Sequence, residues 1–334
     1  MNKETKTLIR NAVFLIAIIL FFLILDKIGF KNIYSTLKTT NPMFLFLSVA
    51  SLFVSYIMWS FKWKTLLNGV VKVKFKDVFL NILSTEFVNN LTPGVSVGGE
   101  PLRAYYIAEE YKKPSTKIFT TVIIEKVINA LIVISLVILA ILFSVLFVEI
   151  NWVVKLISSI IGILILLFIL FFILKKADVL KKLKIKIKNT QFAKFIKGKK
   201  VYKKLRGGIA KTFGYFVYSF KNLRKEKKIL ARVIIFGLLK WVFKILAVYF
   251  LVLSLNYNIS PLIIVIVVII AGLLGDVAFV PNVGVTEVSM IALYVAFGVP
   301  GAVAALATVF YRLIYYMYAL GFGAVSWNYL HSKY

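Results

Sequence analysis

The long apolar segments of this chain constrain its fold most strongly. A helix that crosses a bilayer needs about 20 mostly apolar residues, because the hydrocarbon layer is roughly 30 Å thick and its backbone groups must bond within the helix. Seven segments approach or exceed that length: 8–25, 42–59, 122–147, 152–174, 236–253, 261–280 and 302–327. The 61% hydrophobic content and mean hydropathy of +0.91 exceed what a soluble globule needs. The sequence predicts an all-α polytopic membrane protein with about seven to eight transmembrane helices.

Two further apolar segments are too short, or too interrupted by polar residues, to cross the membrane. Segment 78–91 contains Glu86 and three asparagines, and segment 285–297 contains Glu287. We interpret both as re-entrant or half-helices. In transporters, a pair of broken helices related by inverted topology commonly marks the substrate site near the bilayer midplane. The pair therefore suggests an inverted pseudo-repeat, with chance similarity of two helix breaks as the alternative.

The positive charge is concentrated between apolar segments. Lys and Arg number 42 against 13 Asp and Glu, and 21 of the 42 lie in residues 175–232. Cytoplasmic loops carry such an excess, so we expect a first membrane half (1–174), a basic cytoplasmic linker (175–232) and a second membrane half (233–334). Both termini are then cytoplasmic in a plasma-membrane protein, if 78–91 returns to the side it entered and 285–297 crosses as a short helix. Bilayer orientation explains the charge without a nucleic-acid partner.

The linker also carries aromatic residues near helical spacing among its lysines, at Phe213, Phe216 and Phe220. This pattern predicts an amphipathic helix lying on the membrane surface. Recognition of an anionic headgroup by the polybasic segment is the alternative interpretation.

The composition excludes several classes of site. The chain has no cysteine and one histidine, His331 near the C-terminus. Disulfides, thiolate chemistry, Cys/His zinc sites and a Ser-His-Asp arrangement inside the fold are excluded. The sequence also lacks an Asp-x-Asp motif and a phosphate-binding G-x-x-x-x-G-K-[ST] loop. We therefore expect no metal and no cofactor, and any transport energy from an ion gradient, a partner or nothing.

Charged residues within or beside apolar segments are candidates for function. A charge at a helix centre costs roughly 2.5–3.5 kcal/mol on insertion scales, so such residues usually face a cavity or a partner. The acids of this kind are Glu86, Glu100, Glu125, Asp276 and Glu287, and the cations are Arg103, Lys126, Lys240, Lys244 and Arg312. We interpret Lys240 and Lys244 as side chains that reach the cytoplasmic interface from the end of their helix.

The densest motif is PGVSVGGEPLR at residues 93–103. Its glycines permit conformations that break a helix, and Pro101 suits the first turn of a new one. Free N–H groups near Gly98 and Gly99, with Arg103 one turn on, could then hold a phosphate. The alternative is structural, with Glu100 capping the helix and pairing with Arg103. A weaker echo, PNVGVTE at 281–287, precedes the helix that contains Arg312.

At these residues the chain resembles the flippase-like membrane family shared with the transmembrane region of bacterial lysylphosphatidylglycerol synthases, which includes UPF0104-type membrane proteins. The resemblance rests on the 93–103 motif, the Glu125-Lys126 pair, Trp241, and 281–287 followed by Arg312. It implies a helical bundle with re-entrant segments that moves lipids between leaflets. Three departures are Lys126 for a usual Arg, Asn129 for a common Asp, and Pro281-Asn282 for a glycine doublet. No aminoacyl-transferase domain follows the last span, so we expect no synthesis of lysyl lipid.

The resulting expectation is a lipid translocase, not an enzyme, for a phospholipid or lipid-linked anionic headgroup. Arg103 and Arg312 would hold phosphate, and Gly98, Gly99 and Gly284 would let the backbone approach it. The carboxylates of Glu100, Glu125 and Glu287 would position the arginines or balance charge, with Glu86, Lys126 and Asp276 as charge partners. The expected partners are membrane lipids and a separate lipid-modifying enzyme. A membrane glycosyltransferase or lipid-modifying enzyme, or a non-transporting accessory subunit, is the alternative; the sequence leaves the oligomeric state open.

Overall fold

The computed structural model describes residues 38–91, 98–147, 226–277 and 284–333, without the side chains of 91, 140–147 and 275–277. Predicted spans 8–25 and 152–174, most of the basic linker, and the motif residues 92–97 and 278–283 lie outside the described residues. In the described part every regular element is helical. The α-helices are α1 Pro42–Leu67, α2 Phe75–Leu91, α3 Gly99–Glu110, α4 Ser115–Phe147, α5 Lys227–Ser254, α6 Pro261–Val277, α7 Val285–Ala296, α8 Gly301–Tyr316 and α9 Gly323–Lys333.

Four helical rods in the described chain are long and apolar enough to cross a membrane. They are α1, α4, α5 and the rod Gly301–Lys333. In that last rod a π-helical turn, Met317–Phe322, joins α8 to α9 without a break. The shorter α6 and α7 are also apolar. The prediction of an all-α polytopic membrane protein is confirmed.

Several predicted boundaries were wrong because helices continue past the apolar segments. Helix α1 ends at Leu67 and not at 59, and its Lys62 is fully buried. Helix α4 begins at Ser115, directly after Pro114, so Glu125 and Lys126 lie well inside it. Helix α5 begins at Lys227, nine residues before the predicted start at 236. A lysine can lie inside such a helix, because a carboxylate can neutralise its charge at a buried position.

Helices α2 and α3 form a hairpin that returns to the end of the bundle from which it started. The backbone N–H of Lys74, just before α2, donates to Tyr111 Oη at 2.8 Å, and the Tyr111 hydroxyl donates to Asp77 Oδ2 at 2.6 Å. Tyr111 directly follows α3, so the two ends of the hairpin meet. Burial, followed by the hydrogen bond to Asp77, raises the pKa of Tyr111 to about 12. Segment 78–91 therefore lies within one helix and does not itself return; the chain returns through α3.

Helices α1 and α5 pack along each other and run antiparallel. The Asn41 N–H donates to the Ser254 carbonyl at 2.6 Å, Ser48 Oγ to the Ala247 carbonyl at 2.6 Å, and Ser55 Oγ to the Lys240 carbonyl at 2.9 Å. Residue numbers rise along α1 as they fall along α5. The core lies between these two helices and the helices that pack on them; its fully buried side chains include Trp63, Leu67, Ile82, Val248, Leu251 and Ile264.

The two halves of the chain carry the same series of helices at a constant spacing. The starts of α6, α7 and α8 are residues 261, 285 and 301, and those of α2, α3 and α4 are residues 75, 99 and 115, so each pair of starts differs by 186. The lengths of α3 and α7 also match, at 12 residues each. We call residues 186 apart counterparts. The N-cap glycines of α3 and α7, Gly98 and Gly284, are one such pair.

Candidate functional site

A cavity of about 420 Å³ lies between helices from both halves of the bundle. Its charged wall residues are Glu86, Glu125, Lys126, Lys240, Lys244 and Arg312. Its aromatic wall residues are Tyr56, Trp59, Trp241, Tyr311 and Tyr315. Among the described residues, four cations and two carboxylates line this space between apolar helices. Such a cluster of charged side chains inside a bundle of apolar helices is typical of a functional site in a membrane protein.

Glu125, on α4, holds two buried cations. Its Oε1 forms an ion pair with Lys62 Nζ, and its Oε2 accepts from Arg103 Nη2 at 2.9 Å. The Arg103 guanidinium also lies 4.6 Å from the centre of the Trp63 ring, within cation–π range. Glu125 lines the cavity, whereas Lys62 and Arg103 lie outside its wall. Arg103 therefore supports Glu125, and its guanidinium does not form part of the wall where the predicted phosphate would sit.

Glu100 pairs with a different helix from the one expected. Its Oε1 lies 2.5 Å from Lys126 Nζ on α4, and the Lys126 side chain is 48% exposed. The alternative interpretation, in which Glu100 pairs with Arg103 within α3, is wrong. On α4, Glu125 pairs with Arg103 and Lys126 pairs with Glu100, because α3 packs against α4 along this stretch.

Arg312, on α8, is oriented by Glu287 at the start of α7. Arg312 Nε lies 2.8 Å from Glu287 Oε1, and Arg312 Nη2 donates to Oε2 at 3.2 Å. The N–H of Gly284 donates to the same Oε2 at 2.6 Å. Gly284 has φ of 96°, a left-handed conformation that favours glycine. The carboxylate is thus held by the helix start as well as by the arginine.

The ion pairs Lys126–Glu100 and Arg312–Glu287 correspond to each other. Lys126 and Arg312 are counterparts, and each binds a carboxylate in the first turn of the preceding short helix. The counterpart of Glu125 is Tyr311. The pair thus recurs in both halves, whereas the Lys62–Glu125–Arg103 cluster belongs to the first half alone.

The motif glycines serve helix packing and capping. The Gly99 N–H donates to Asn89 Oδ1 at 2.8 Å, and a Cβ at Gly99 would collide with the backbone of Thr85 on α2. Gly98 and Gly284 are the N-caps of α3 and α7. None of the three glycines lines the cavity. The N–H groups of Gly99 and Gly284 are therefore already satisfied by side chains.

Glu86, on α2, contacts hydroxyl and amide groups. Its Oε2 accepts from the Tyr315 hydroxyl at 2.8 Å, and Asn90 Nδ2 donates to that Tyr315 oxygen at 2.9 Å. Among the described side chains no cation lies within 4.0 Å of the Glu86 carboxylate. The side chain of Asp276, the other expected charge partner, lies outside the described side chains.

Lys240 and Lys244 line the cavity, and the expectation that they lie at the end of their helix was wrong. Because α5 begins at Lys227, Lys240 lies at mid-helix. Lys240 Nζ lies 4.1 Å from the centre of the Trp59 ring, and Lys244 Nζ lies 4.9 Å from that of Trp241. In the described part of the chain neither ammonium has a carboxylate within 4.0 Å.

Sequence reasoning missed Lys62 and underestimated Asn129. Lys62 stands among other lysines after an apolar segment, so nothing in the sequence marks it as buried. The Asn129 carboxamide oxygen accepts from Lys62 Nζ and from Trp241 Nε1, each at 3.3 Å. The four-residue spacing of Lys240 and Lys244 around a tryptophan was the signal for a shared helix face.

The membrane fold and its charged cavity agree with one known family. The family described as the lysylphosphatidylglycerol synthase TM region matches residues 11–323. The chain belongs to this family. Three archaeal relatives, each named a UPF0104 membrane protein, cover nearly all of the chain. They are 30% identical over 322 residues in Methanocaldococcus jannaschii (95% of this chain, 91% of the relative), 28% over 310 in Pyrococcus horikoshii (90% and 91%), and 26% over 314 in Methanothermobacter thermautotrophicus (92% and 91%).

Membership places every described site residue inside the region that defines the family. The cavity, the two counterpart ion pairs and the Glu125 cluster all lie between residues 11 and 323. The family is named for the membrane region of a lipid synthase, and the relatives are named as membrane proteins. The chain is thus a multi-pass membrane protein of this family.

Proposed function

We propose that this protein is a lipid translocase that carries a lipid headgroup through the central cavity while the apolar chains stay in the bilayer. The observation that carries the proposal is the relation between the halves. Corresponding helices occur at a constant spacing, and the charged cavity lies between the halves. Helices α1 and α5, whose starts at residues 42 and 227 differ by 185, also correspond, and they run antiparallel. This is the arrangement expected of an inverted repeat around a substrate site.

An inverted repeat supplies a means of transport. Two similar units in opposite orientations can exchange conformations, and the exchange turns a cavity open to one side into a cavity open to the other. The substrate site stays in place while one unit rocks against the other. No chemical change in the lipid is needed for this cycle.

The two counterpart ion pairs differ in exposure in a way that fits one end state of such a cycle. The Lys126 side chain is 48% exposed, whereas that of Arg312 is 10% exposed. In the opposite state we expect the exposures to be exchanged, with Arg312 accessible and Lys126 buried. The two pairs would then act as equivalent gates at the two ends of the cavity.

The cavity wall favours a lipid over a fully hydrophilic solute. Beside its charges it presents apolar side chains, among them Leu52, Val133, Ile134, Val268 and Leu273. A headgroup can occupy the charged part while the chains leave along the apolar part. The membrane is the plasma membrane in this proposal, with both termini cytoplasmic, as the positive charge of the linker suggests.

Transport of a labelled lipid by the purified protein in vesicles tests the proposal. We expect wild-type protein to speed the exchange of fluorescent phospholipids between leaflets, and Lys126→Ala or Arg312→Ala to slow it about tenfold, as for loss of about 1.4 kcal/mol of stabilisation. Lys227→Ala, at an exposed position of α5, is the matched control and should transport normally.

Three results would contradict a translocase. If lipid exchange is no faster than in protein-free vesicles, the protein has no translocase activity. A donor-dependent change in lipid mass would indicate a lipid-modifying enzyme. Stable co-purification with a lipid synthase, together with no exchange by the protein alone, would indicate an accessory subunit.

A further inference from the structure

We propose that Lys240 and Lys244 form the phosphate subsite of the cavity, and that this subsite selects lipids of net negative charge over cationic aminoacylated lipids. That the bound phosphate belongs to a lipid headgroup rests on the proposed function. The subsite itself rests on the placement of the two ammonium groups.

Among the described side chains, no carboxylate is in direct contact with either of these two lysines. Lys126 and Arg312 each have a carboxylate within 3 Å, and Glu125 is already bound by two cations. Lys240 and Lys244 instead lie over the faces of Trp59 and Trp241. A cation over an indole ring gains less than an ammonium group loses on leaving water. An anionic ligand would supply the missing compensation.

The positions of the two lysines suit one tetrahedral anion. They are four residues apart on α5, so their side chains project from the same helix face, with Trp241 beside them. Both residues line the same cavity. The Asn129 carboxamide at the wall has its oxygen bound by Lys62 and Trp241, which leaves its NH₂ group as a further donor. A phosphate offers several acceptor oxygens to such a set of donors.

The charge of the whole wall decides which headgroups fit. Among the described residues, four cations and two carboxylates line the cavity. Lys126 and Arg312 are already paired with carboxylates, and Glu125 is paired with cations, so the excess positive charge comes from Lys240 and Lys244. An aminoacylated headgroup would bring ammonium groups into a space that already carries excess positive charge, whereas an anionic phospholipid would balance it. Like charges at close range are costly, and that cost excludes the wrong ligand.

Lipid binding by the purified protein tests this selectivity. Protein in detergent would be mixed with equal amounts of phosphatidylglycerol, phosphatidic acid, phosphatidylcholine and lysylphosphatidylglycerol, and bound lipid counted by native mass spectrometry. We expect at least about tenfold preference for the two anionic lipids over the lysyl lipid, and loss of this preference in Lys240→Gln/Lys244→Gln. Lys227→Gln/Lys228→Gln removes two exposed charges from the same helix and should keep the preference.

A second variant separates charge from folding. Lys240→Arg/Lys244→Arg keeps both charges, so it should retain anionic lipid even if thermal stability falls. Equal binding of anionic and lysyl lipids by wild type, or unchanged preference in the Gln variant, would overturn the subsite. Saturation by millimolar inorganic phosphate with no bound lipid would overturn the assignment to a lipid headgroup.

The transport assay on the same preparations keeps the two proposals apart. Selective binding of anionic lipid by a protein that exchanges no lipid would overturn the translocase and support the subsite. Rapid exchange of lysylphosphatidylglycerol with no preference for anionic lipids would support the translocase and overturn the subsite.

Discussion

The first and second halves of this membrane protein share one ion pair and differ in another cluster. Lys126–Glu100 in the first half and Arg312–Glu287 in the second connect counterpart cations to the start of a short helix. Only the first half adds Lys62, Glu125 and Arg103. Their counterparts are Val248, Tyr311 and Ser289, which carry no charge. The comparison suggests that charge present in both halves serves transport, whereas charge present in one half holds that half together.

The difference extends to what surrounds the recurring pair. Around Arg312 the rings of Tyr315 and Tyr316 lie 5.7 and 5.8 Å from the guanidinium. Lys126 pairs with Glu100, and the adjacent Glu125 pairs with Lys62 and Arg103. We therefore expect the first half to be the more rigid unit and the second half to rearrange more during transport.

The largest effect is expected from removing the charge that belongs to the first half alone. Glu125→Ala leaves the buried Lys62 and Arg103 without their shared carboxylate, and breaking a buried pair costs about 3–5 kcal/mol. We expect a strongly lowered apparent melting temperature in detergent, or failure to recover folded protein. The counterpart variant Tyr311→Phe should change stability far less. Similar stability of the two variants would break the proposed difference between the halves.

A second comparison concerns the recurring pair itself. Glu287→Gln removes the carboxylate of an almost buried arginine, so we expect a loss of about 3 kcal/mol. Glu100→Gln removes that of a half-exposed lysine, for which water screens the charge, so the loss should be about 1 kcal/mol or less. Thermal unfolding of both variants under the same conditions would measure the difference. A larger loss of stability for Glu100→Gln would contradict the expectation that the more buried ion pair contributes more.

A third comparison concerns the helix crossing at the motif. Gly99→Ala places a Cβ against the backbone of Thr85. Overpacking of this kind lowers the free energy of unfolding by about 1–3 kcal/mol. Gly321→Ala, where a Cβ would have no atom within 4 Å, is the matched glycine control and should be neutral or slightly stabilising. The counterpart of Gly99 is Val285, so the second half accommodates a side chain at this position. Equal stability of the two alanine variants would show that the crossing is not tight.

The smallest effect is expected at the base of the first hairpin. The counterpart of Tyr111 is Phe297, so Tyr111→Phe makes the first hairpin resemble the second. Loss of the hydrogen bonds to Lys74 and Asp77 should cost about 0.5–1.5 kcal/mol. Burial and the Asp77 bond raise the pKa of Tyr111 from 10.0 to about 12. The extra stability of wild type over Tyr111→Phe is therefore fully present below pH 10 and is lost as pH rises through 12. Unfolding curves of the two proteins that diverge with rising pH would contradict this.

The sequence predicted the helical membrane fold because apolar length alone decides it. It also predicted short helices near residues 78–91 and 285–297, and it singled out the charged residues that line the cavity. It could not predict their partners. Neighbours such as Glu125 and Lys126 bind different residues of α3, and that choice depends on helix packing and not on spacing along the chain.

The similarity of the two halves was harder to recognise because their charges are not aligned residue by residue. Gly98 and Gly284 are counterparts, but Glu100 corresponds to Thr286, and Glu287 lies one residue further on. Lys126 corresponds to the longer Arg312, whose forked guanidinium reaches the carboxylate by a different geometry. Lys62 and Lys240 were misjudged for a similar reason: a lysine near an apolar segment gives no sign of whether its ammonium meets water, a carboxylate or an indole ring.

Access to the cavity from the two sides of the membrane tests the central claim most directly. The natural chain has no cysteine, so single cysteines can be introduced at Ala130 in the first half and Gly272 in the second, both on the cavity wall. Each variant would be reconstituted in sealed vesicles and treated with a membrane-impermeant maleimide from one side at a time. An inverted repeat that alternates predicts that both cysteines react from both sides. Reaction of both from one side only would contradict the account.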